Sequence, residues 1–366
     1  MPRKADHLFE GIANFRALYE AAQRAVRGKR TKPGAAAFMA NIDRALLGLE
    51  GALRDGSWRP GRYVTFRIED PKPRWISAAP FRDRVVHHAL CAVVGPIFER
   101  GFIDDSYANR KGYGTHRAIA RYEHYRDRHA RVLRCDIYGY FPSIDHAILK
   151  RDFRRRIACE RTLALLDTIV DGSNPQEPVN LYFPGDDLLS PLERRRGLPI
   201  GNLTSQFFAN VYLDPLDHFA KEILRAPYVR YVDDFALFDD DPDVLANWRA
   251  RIEAFLIGRR LVVHPTKTRT IDAKVPAGFL GFVLQEHGLR RLPEENVRRF
   301  RNRLRGLRDR WRAHSVDKRM VEARVEAWIA HARHAHTWRL RQAIFEGGWF
   351  DPSNELFAEP DGLRRP

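Results

Sequence analysis

Three aspartates in two short segments are the residues of this sequence best suited to chemistry. Asp136 follows the strand-like segment RVLRC, and Asp233 and Asp234 lie among apolar and aromatic residues in YVRYVDDFALF. Burying adjacent carboxylates in an apolar hairpin is costly unless a cation compensates. Together the three side chains offer hard oxygen ligands for two magnesium ions, which would activate an attacking hydroxyl and stabilise a leaving pyrophosphate. A strand-end aspartate and a solvated acidic turn are the ordinary alternatives, so this chemistry requires that the two segments meet in space.

The elements that must position these aspartates follow from the spacing of the apolar residues. RVLRC predicts a strand that ends at Asp136, and YVRYVDDFALF predicts a hairpin with both acids at its tip. Alternation and apolar content predict further strands at 62–69 and at LVVHP. Helical spacing predicts helices over most of 1–57 and over 82–99, 115–129, 204–224 and 242–258. In the first of these regions, helical spacing relates Phe9, Ile12, Phe15 and Tyr19, and then Phe38, Ile42, Leu46 and Leu49.

The C-terminal part of the sequence predicts two long helices, the first with an apolar stripe and a cationic flank. Val297, Phe300, Leu304, Leu307 and Trp311 step by three and four residues along one face. Residues 290–312 contain ten arginines and three acids. Such a helix can pack on the protein body while its flank faces a phosphate backbone.

The overall charge indicates a polyanionic partner. The 366 residues include 63 Lys and Arg against 47 Asp and Glu, which gives a net charge of +16 and a pI near 10.1. No apolar run approaches the roughly 20 residues that span a bilayer, and the N-terminus has no apolar core like that of a signal peptide. Three widely spaced cysteines favour neither a disulfide framework nor a zinc site. A cytoplasmic nucleic-acid-binding protein without membrane contact is the plain interpretation.

Seven segments resemble the motifs of bacterial reverse transcriptases, in the same order, over roughly residues 60–285. They are PKPRWISAAPFRDRVVHHAL, SYANRKGYGTHRAI, LRCDIYGYFPSIDH, GLPIGNLTSQFFANVYLDPLDHF, YVRYVDDFALF, RRLVVHPTKT and AGFLGF. The resemblance implies an RNA-directed DNA polymerase that uses an RNA template, a DNA or RNA primer, dNTPs and two Mg²⁺ ions.

The resemblance also implies an α+β fold of the right-hand polymerase type, with fingers, a palm built on an antiparallel sheet, and a helical thumb. The expected order is an N-terminal helical extension at 1–60, fingers at 61–135, palm at 136–290, thumb at 291–346 and a C-terminal tail at 347–366. A proline-, glycine- and charge-rich stretch at 172–196 is expected to be a loop insertion in the palm.

Roles for individual residues follow from the same resemblance. Asp136, Asp233 and Asp234 are the expected catalytic metal ligands, with Ile137 beside them in the metal site, and Lys267 could protonate the leaving pyrophosphate. Residues expected to bind the incoming nucleotide are Lys72, Arg74, Arg110, Phe141, Gly201 and Gln206. Phe141 would lie beneath the sugar and select dNTPs over rNTPs. On the first C-terminal helix, Arg298, Arg301, Arg305 and Arg308 are expected to bind nucleic acid.

Ordinary alternatives stay open for several of these residues. Lys72, Arg74, Arg110 and Lys267 could be exposed cations without a ligand. Phe141 could be a core aromatic residue, and Gln206 could be a polar residue at the start of a helix.

The segment IGNLTSQ narrows the resemblance further. Its IGxxxSQ form is similar to reverse transcriptases of diversity-generating retroelements, which copy a template RNA with frequent errors opposite adenine for mutagenic retrohoming. That group uses a small basic accessory protein and a cognate noncoding RNA. The alternatives are a phage-defence reverse transcriptase that copies a noncoding RNA or polymerises without a template, and an RNA-binding scaffold with a vestigial polymerase site. A group II intron maturase fits IGNLTSQ less well.

Overall fold

This computed structural model describes residues 3–69, 73–173 and 180–346. The chain forms two compact units, one from Met1–Ala118 with Arg131–Thr270 and the other from Ile119–Ala130 with Ile271–Pro366. Lys72, one of the predicted nucleotide-binding residues, lies outside the described residues, as does the predicted C-terminal tail.

The first unit begins with four helices, in the region 1–57 that the sequence predicted to be mostly helical. They are α1 (Phe9–Ile12), α2 (Phe15–Ala25), α3 (Pro33–Ala40) and α4 (Ile42–Arg54). The prediction that Phe9, Ile12, Phe15 and Tyr19 share one helix face is wrong, because the helix is interrupted at Asn14. The Asn14 side chain caps α2 by accepting the amide N–H of Ala17 at 2.9 Å. The buried face of α2 starts at Leu18, and Tyr19 is exposed.

A hairpin and a long helix follow the N-terminal helices. Strands β1 (Val64–Ile68) and β2 (Arg74–Ala78) pair antiparallel, with Ile68 opposite Arg74. Helix α5 (Phe81–Glu99) is the central helix against which α2 packs. Helix α6 (Thr115–Arg126) then begins in the first unit and continues into the second.

The first unit is built around a four-stranded sheet. The sheet contains β3 (Arg131–Cys135), β4 (Tyr228–Tyr231), β5 (Asp234–Asp239) and β6 (Arg269–Asp272), in the order β4-β5-β3-β6. The last two residues of β6 belong to the second unit. Strands β3, β4 and β5 are antiparallel neighbours with largely buried side chains. The strand predicted at LVVHP is wrong, since this segment forms only an isolated bridge between Val263 and Ile137.

Six further helices of the described residues complete the first unit, and the last of them packs on strands β3 and β5. They are α7 (Tyr140–Ser143), α8 (His146–Arg156), α9 (Glu160–Asp171), α10 (Ser190–Glu193), α11 (Leu203–His218) and α12 (Pro242–Ile257), with a π-helical turn at Phe219–Ile223 directly after α11. Helix α11 packs on both α5 and α8. The predicted loop insertion at 172–196 contains one short helix, α10, among its described residues.

The second unit combines a small sheet with three helices. Strands β7 (Ala277–Phe279), β8 (Phe282–Leu284) and β9 (Arg290–Arg291) are followed by α13 (Glu294–Arg312), α14 (Lys318–Ala332) and α15 (Trp338–Phe345). The predicted stripe on α13 is confirmed at its centre, where Phe300, Leu304 and Leu307 are buried. The ring of Phe300 stacks on Trp328 of α14, with 3.9 Å between the ring centroids.

Helices and antiparallel strands thus segregate along the chain, which confirms the predicted α+β class. Across the described ranges, no helix is both long enough and apolar enough to cross a membrane.

Candidate active site

The register of the central sheet brings the two acidic segments together. Cys135 pairs with Phe235 in the antiparallel β3–β5 ladder, and continuing that ladder by one position places Asp136 opposite Asp234. Residues directly opposite each other on antiparallel strands have their Cβ atoms about 5 Å apart. The structure therefore brings the segment that ends at Asp136 next to the hairpin that contains Asp233 and Asp234, as the proposed chemistry requires.

A tight turn presents the third aspartate. Tyr231 pairs with Asp234, so Val232 and Asp233 form the two-residue connection between β4 and β5. Val232 adopts a φ of 59°, a left-handed conformation that is costly for a β-branched side chain. The hairpin with acids at its tip is confirmed, and the strain in its turn was not predictable from the sequence.

The carboxylates of this cluster repel one another. Burial, followed by the charges of Asp233 and Asp136, raises the pKa of Asp234 to about 6. Burial also raises the pKa of Asp233, and the Asp136 charge adds to the shift. Lys267 partly compensates, since its Nζ lies 2.9 Å from Oδ1 of Asp136.

The cluster fits a divalent cation by the chemistry of its donors. Burial and neighbouring acidic charges raise the pKa of Asp233 and Asp234, so the cluster is an anionic site that Lys267 compensates only in part. Its carboxylate oxygens are the ligands that Mg²⁺ prefers. Within residues 3–69, 73–173 and 180–346, however, no three His, Cys, Asp or Glu side chains are arranged closely enough to form a ready ligand set. Ile137, the remaining predicted member of the metal site, directly follows Asp136 and is buried.

Arg74, at the start of β2, acts electrostatically on the cluster, and Gly201 lies against Ile76 of the same strand. The positive charge of Arg74 acts on Asp233 and opposes the rise in the pKa of that carboxyl. Gly201 has a φ of 111°, and a Cβ atom at this position would lie 2.8 Å from Cγ2 of Ile76. Only glycine therefore allows β2 to approach the chain this closely before α11.

Asn202 holds β2 and the start of α11 together, a role that the sequence did not reveal. Its buried amide donates to the carbonyl of Ser77 at 2.8 Å and accepts the N–H of Ala79 at 3.1 Å. The amide N–H of Ser77 in turn donates to the carbonyl of Ile200 at 2.9 Å. These bonds hold the end of β2 against the start of α11, where Gln206 is exposed in the first turn.

Phe141 lies five residues after Asp136 in the short helix α7. Its ring is partly buried and packs edge-on against Tyr140, with 5.6 Å between the centroids. Its carbonyl accepts the N–H of Leu198 at 2.9 Å, which ties α7 to the segment that leads to Gly201. Its role in sugar selection stays a prediction.

Arg110 is engaged inside the protein. Its guanidinium donates to Glu99 at 2.8 Å and to the carbonyls of Ile103 and Ser106 at 2.6 and 2.7 Å. It also lies over the ring of Tyr113, 3.9 Å from the centroid. In this structure the side chain orders its own loop, and its predicted contact with a triphosphate stays a prediction.

In the second unit, α13 carries the predicted nucleic-acid-binding arginines. Arg298, Arg301 and Arg305 line a groove of about 950 Å³ together with Arg339 of α15. Arg308 is not among the groove residues, and its Nε lies 3.5 Å from Oδ1 of Asp309. Three of the four predicted arginines thus share one cationic groove.

Comparison with known proteins places this architecture in a family. Residues 69–284 match the family model described as reverse transcriptase (RNA-dependent DNA polymerase). Protein YkfC of Escherichia coli K12 is 24% identical over 294 residues, an alignment that covers 66% of this chain and 73% of YkfC.

Two solved structures are also similar. Apo telomerase from Candida tropicalis, truncated from its C-terminal domain, has a TM-score of 0.47 and 12% identity, over 64% of this chain and 55% of that one. Telomerase from Candida albicans in complex with a fragment of telomeric RNA has a TM-score of 0.42 and 12% identity, over 68% and 50%. The chain thus spans about half the length of these telomerase chains. Since the family model covers more than half of its residues, the chain belongs to the reverse transcriptase family of RNA-dependent DNA polymerases.

Proposed function

We propose that this protein extends a primer by copying an RNA template into DNA, with divalent ions held by Asp136, Asp233 and Asp234. The observation that carries the proposal is the register that sets Asp136 opposite Asp234, next to the turn that presents Asp233. Divalent ions bound there would activate the primer 3′-OH and neutralise charge on the leaving pyrophosphate. An RNA-binding scaffold has no need for repelling, partly buried carboxylates beside a polyanion.

Lys267 has a defined part in this proposal. In the ion-free protein its Nζ neutralises one oxygen of Asp136 at 2.9 Å. If that oxygen ligated an ion, the ammonium group would be available close to the site to donate a proton to pyrophosphate. The same side chain would thus serve as a counter-charge before ion binding and as an acid afterwards.

The nucleotide pocket is proposed between the end of β2 and the start of α11. Arg74 would contact the triphosphate, while Gly201 and Gln206 would lie along the nascent base pair. Phe141 would contact the sugar. Lys72 is the further candidate for contact with the triphosphate, and Arg110 is a weaker one, because its guanidinium is bonded within the protein.

The arginine groove of α13 and α15 is proposed to bind the nucleic-acid backbone. Arg298, Arg301 and Arg305 would contact phosphates, and the affinity would fall with salt because each neutralised phosphate releases counterions. Arg308 is the weakest candidate, since it lies outside the groove lining.

The test is primer extension on an RNA template with dNTPs and Mg²⁺, in wild type, Asp233→Asn and the control Asp43→Asn. Asp43 is an exposed acid in the first turn of α4, so its substitution leaves the site unchanged. We expect full-length cDNA from wild type and the control, and a loss of at least about 10³-fold with Asp233→Asn. Equal extension by wild type and Asp233→Asn would refute the assignment of the site.

The narrower proposal is a reverse transcriptase of a diversity-generating retroelement, and it rests on IGNLTSQ with Gln206 exposed at the start of α11. Sequencing the cDNA would then show substitutions concentrated opposite template adenines. A small basic protein and a cognate RNA are the expected partners in a pull-down. Uniform fidelity, or synthesis without an added template, would favour the phage-defence alternative.

A further inference from the structure

Arg230 is the largest fully buried side chain of the described residues, and it lies two residues before the strained turn. All five N–H groups of its guanidinium have an acceptor. Nε and Nη2 donate to the two carboxylate oxygens of Asp217 at 2.6 and 2.5 Å, and Nη2 also donates to Oγ of Ser106 at 2.9 Å. Nη1 donates to Oδ1 of Asn210 at 3.3 Å and to the carbonyl of Val232 at 2.9 Å. A guanidinium has five donors in a fixed plane, so its orientation here is fully determined.

The hydrogen bond from Arg230 to the Val232 carbonyl stabilises a residue whose backbone conformation is strained. Val232 is held at a φ of 59°, which a valine does not adopt unless its surroundings enforce it. The next residue is Asp233. A donor that fixes the carbonyl between these two residues therefore fixes the peptide plane from which the Asp233 side chain departs.

The other partners of Arg230 anchor the guanidinium to two separate elements. Asp217 and Asn210 belong to α11, and Asp217 also accepts the hydroxyl of Tyr228 at 2.8 Å. Ser106 belongs to the loop before α6, and this loop runs parallel to β4. The backbone N–H of Arg230 donates to the carbonyl of Asp105 at 2.9 Å, and its carbonyl accepts from Tyr107 at 3.0 Å.

From these contacts we propose that Arg230, locked by Asp217, is the positioning residue that holds the Val232–Asp233 turn in its strained conformation and thereby sets the place of the Asp233 carboxylate. The inference rests on the proposed role of Asp233 in binding the divalent ion. Arg230 itself is 1% exposed, so its side chain is not accessible to a substrate. Its contribution is geometric, and a displacement of a catalytic group by about 1 Å can lower a rate about 100-fold.

The test replaces the ion pair without leaving a buried charge unpaired. In the double variant Arg230→Met with Asp217→Asn, the methionine occupies the volume of the arginine stem, and the oxygen of the new amide still accepts the hydroxyl of Tyr228. The matched control is Arg259→Met with Asp152→Asn. Arg259 and Asp152 form another buried ion pair, between residues after α12 and in α8, with no contact to the turn.

Two readouts are measured on the full-length chain, hydrogen exchange of residues 231–234 and steady-state primer extension. We expect the Arg230 double variant to exchange these amides at least about tenfold faster and to lose at least about tenfold in kcat, with the KM for dNTP within about twofold of wild type. The control double variant should match wild type in both readouts. Wild-type exchange at 231–234 in the folded Arg230 double variant would overturn the proposal.

Arg230→Lys covers the case in which the double variant does not fold. Lysine keeps the charge opposite Asp217 but has three donors on a flexible stem, so it cannot serve the five acceptors. Faster exchange of the turn in this variant supports the proposal, and unchanged exchange with unchanged kcat refutes it. Because exchange needs no catalysis, an inactive wild type would count against the proposed function while exchange still decides the role of Arg230.

Discussion

Replacing Asp234, one of the proposed metal ligands, is expected to stabilise the ion-free protein. Asp234 has a pKa of about 6 in the folded state against an ordinary value of 3.8, because of burial and the charges of Asp233 and Asp136. The folded protein therefore binds this proton more tightly than the unfolded chain, and stability falls as pH rises from about 4 to about 6. A shift of about two pKa units corresponds to about 3 kcal/mol at pH 8.

Asp234→Asn removes this cost, since asparagine does not ionise. At pH 8 with EDTA, the free energy of unfolding of the variant should exceed that of wild type by about 1–3 kcal/mol. Near pH 3.5 the difference should vanish, because the wild-type carboxyl is then protonated in the folded state. Urea unfolding between pH 3.5 and 8, followed by circular dichroism, measures both limits.

Addition of Mg²⁺ provides the second half of the test. An ion at 100 times its Kd stabilises the protein that binds it by about 2.7 kcal/mol, so wild type should regain most of the difference and Asp234→Asn should not. Asp43→Asn should follow wild type throughout. The reasoning is refuted if Asp234→Asn is no more stable than wild type at pH 8 without ions, or if the difference persists unchanged near pH 3.5.

Three further predictions concern other parts of the molecule. Gly201→Ala should raise the KM for dNTP at least about fivefold, because the added Cβ would lie 2.8 Å from Cγ2 of Ile76 and the φ of 111° disfavours any side chain. Unchanged steady-state kinetics would contradict this prediction. Arg110→Lys should lower the free energy of unfolding by about 2 kcal/mol, because lysine cannot replace all three internal hydrogen bonds, and should leave the KM for dNTP unchanged. An increase of about tenfold in KM in a stable variant would instead support a triphosphate contact. Arg301→Glu should weaken binding to an RNA–DNA duplex and reduce the slope of log K against log salt by about 1. The control Arg310→Glu, on the same helix but outside the groove, should change this slope less. Equal slopes for wild type and Arg301→Glu would exclude a phosphate contact.

The sequence by itself determined the chemical character of the protein. Adjacent acids inside an apolar hairpin and a third acid after a strand are local patterns, so they could be read from residue types and spacing. The same holds for the strands β3, β4 and β5, which are short runs of apolar, β-branched and aromatic residues, and for the apolar stripe of α13, since a helix repeats with period 3.6. Helix ends were harder to predict, because the break at Asn14 depends on a single capping side chain.

The tertiary structure decided which of these residues act together. The opposition of Asp136 and Asp234 comes from the β3–β5 register, which joins segments that are far apart in the sequence and has no local signal. The same limit applies to Asn202, which closes the contact between β2 and α11. Arg110 and Arg230 show the point most clearly. Both are arginines in motif-bearing segments, and sequence reasoning chose the first for chemistry and passed over the second. Burial and five satisfied donors, which only the folded chain shows, give Arg230 its place beside the Val232–Asp233 turn.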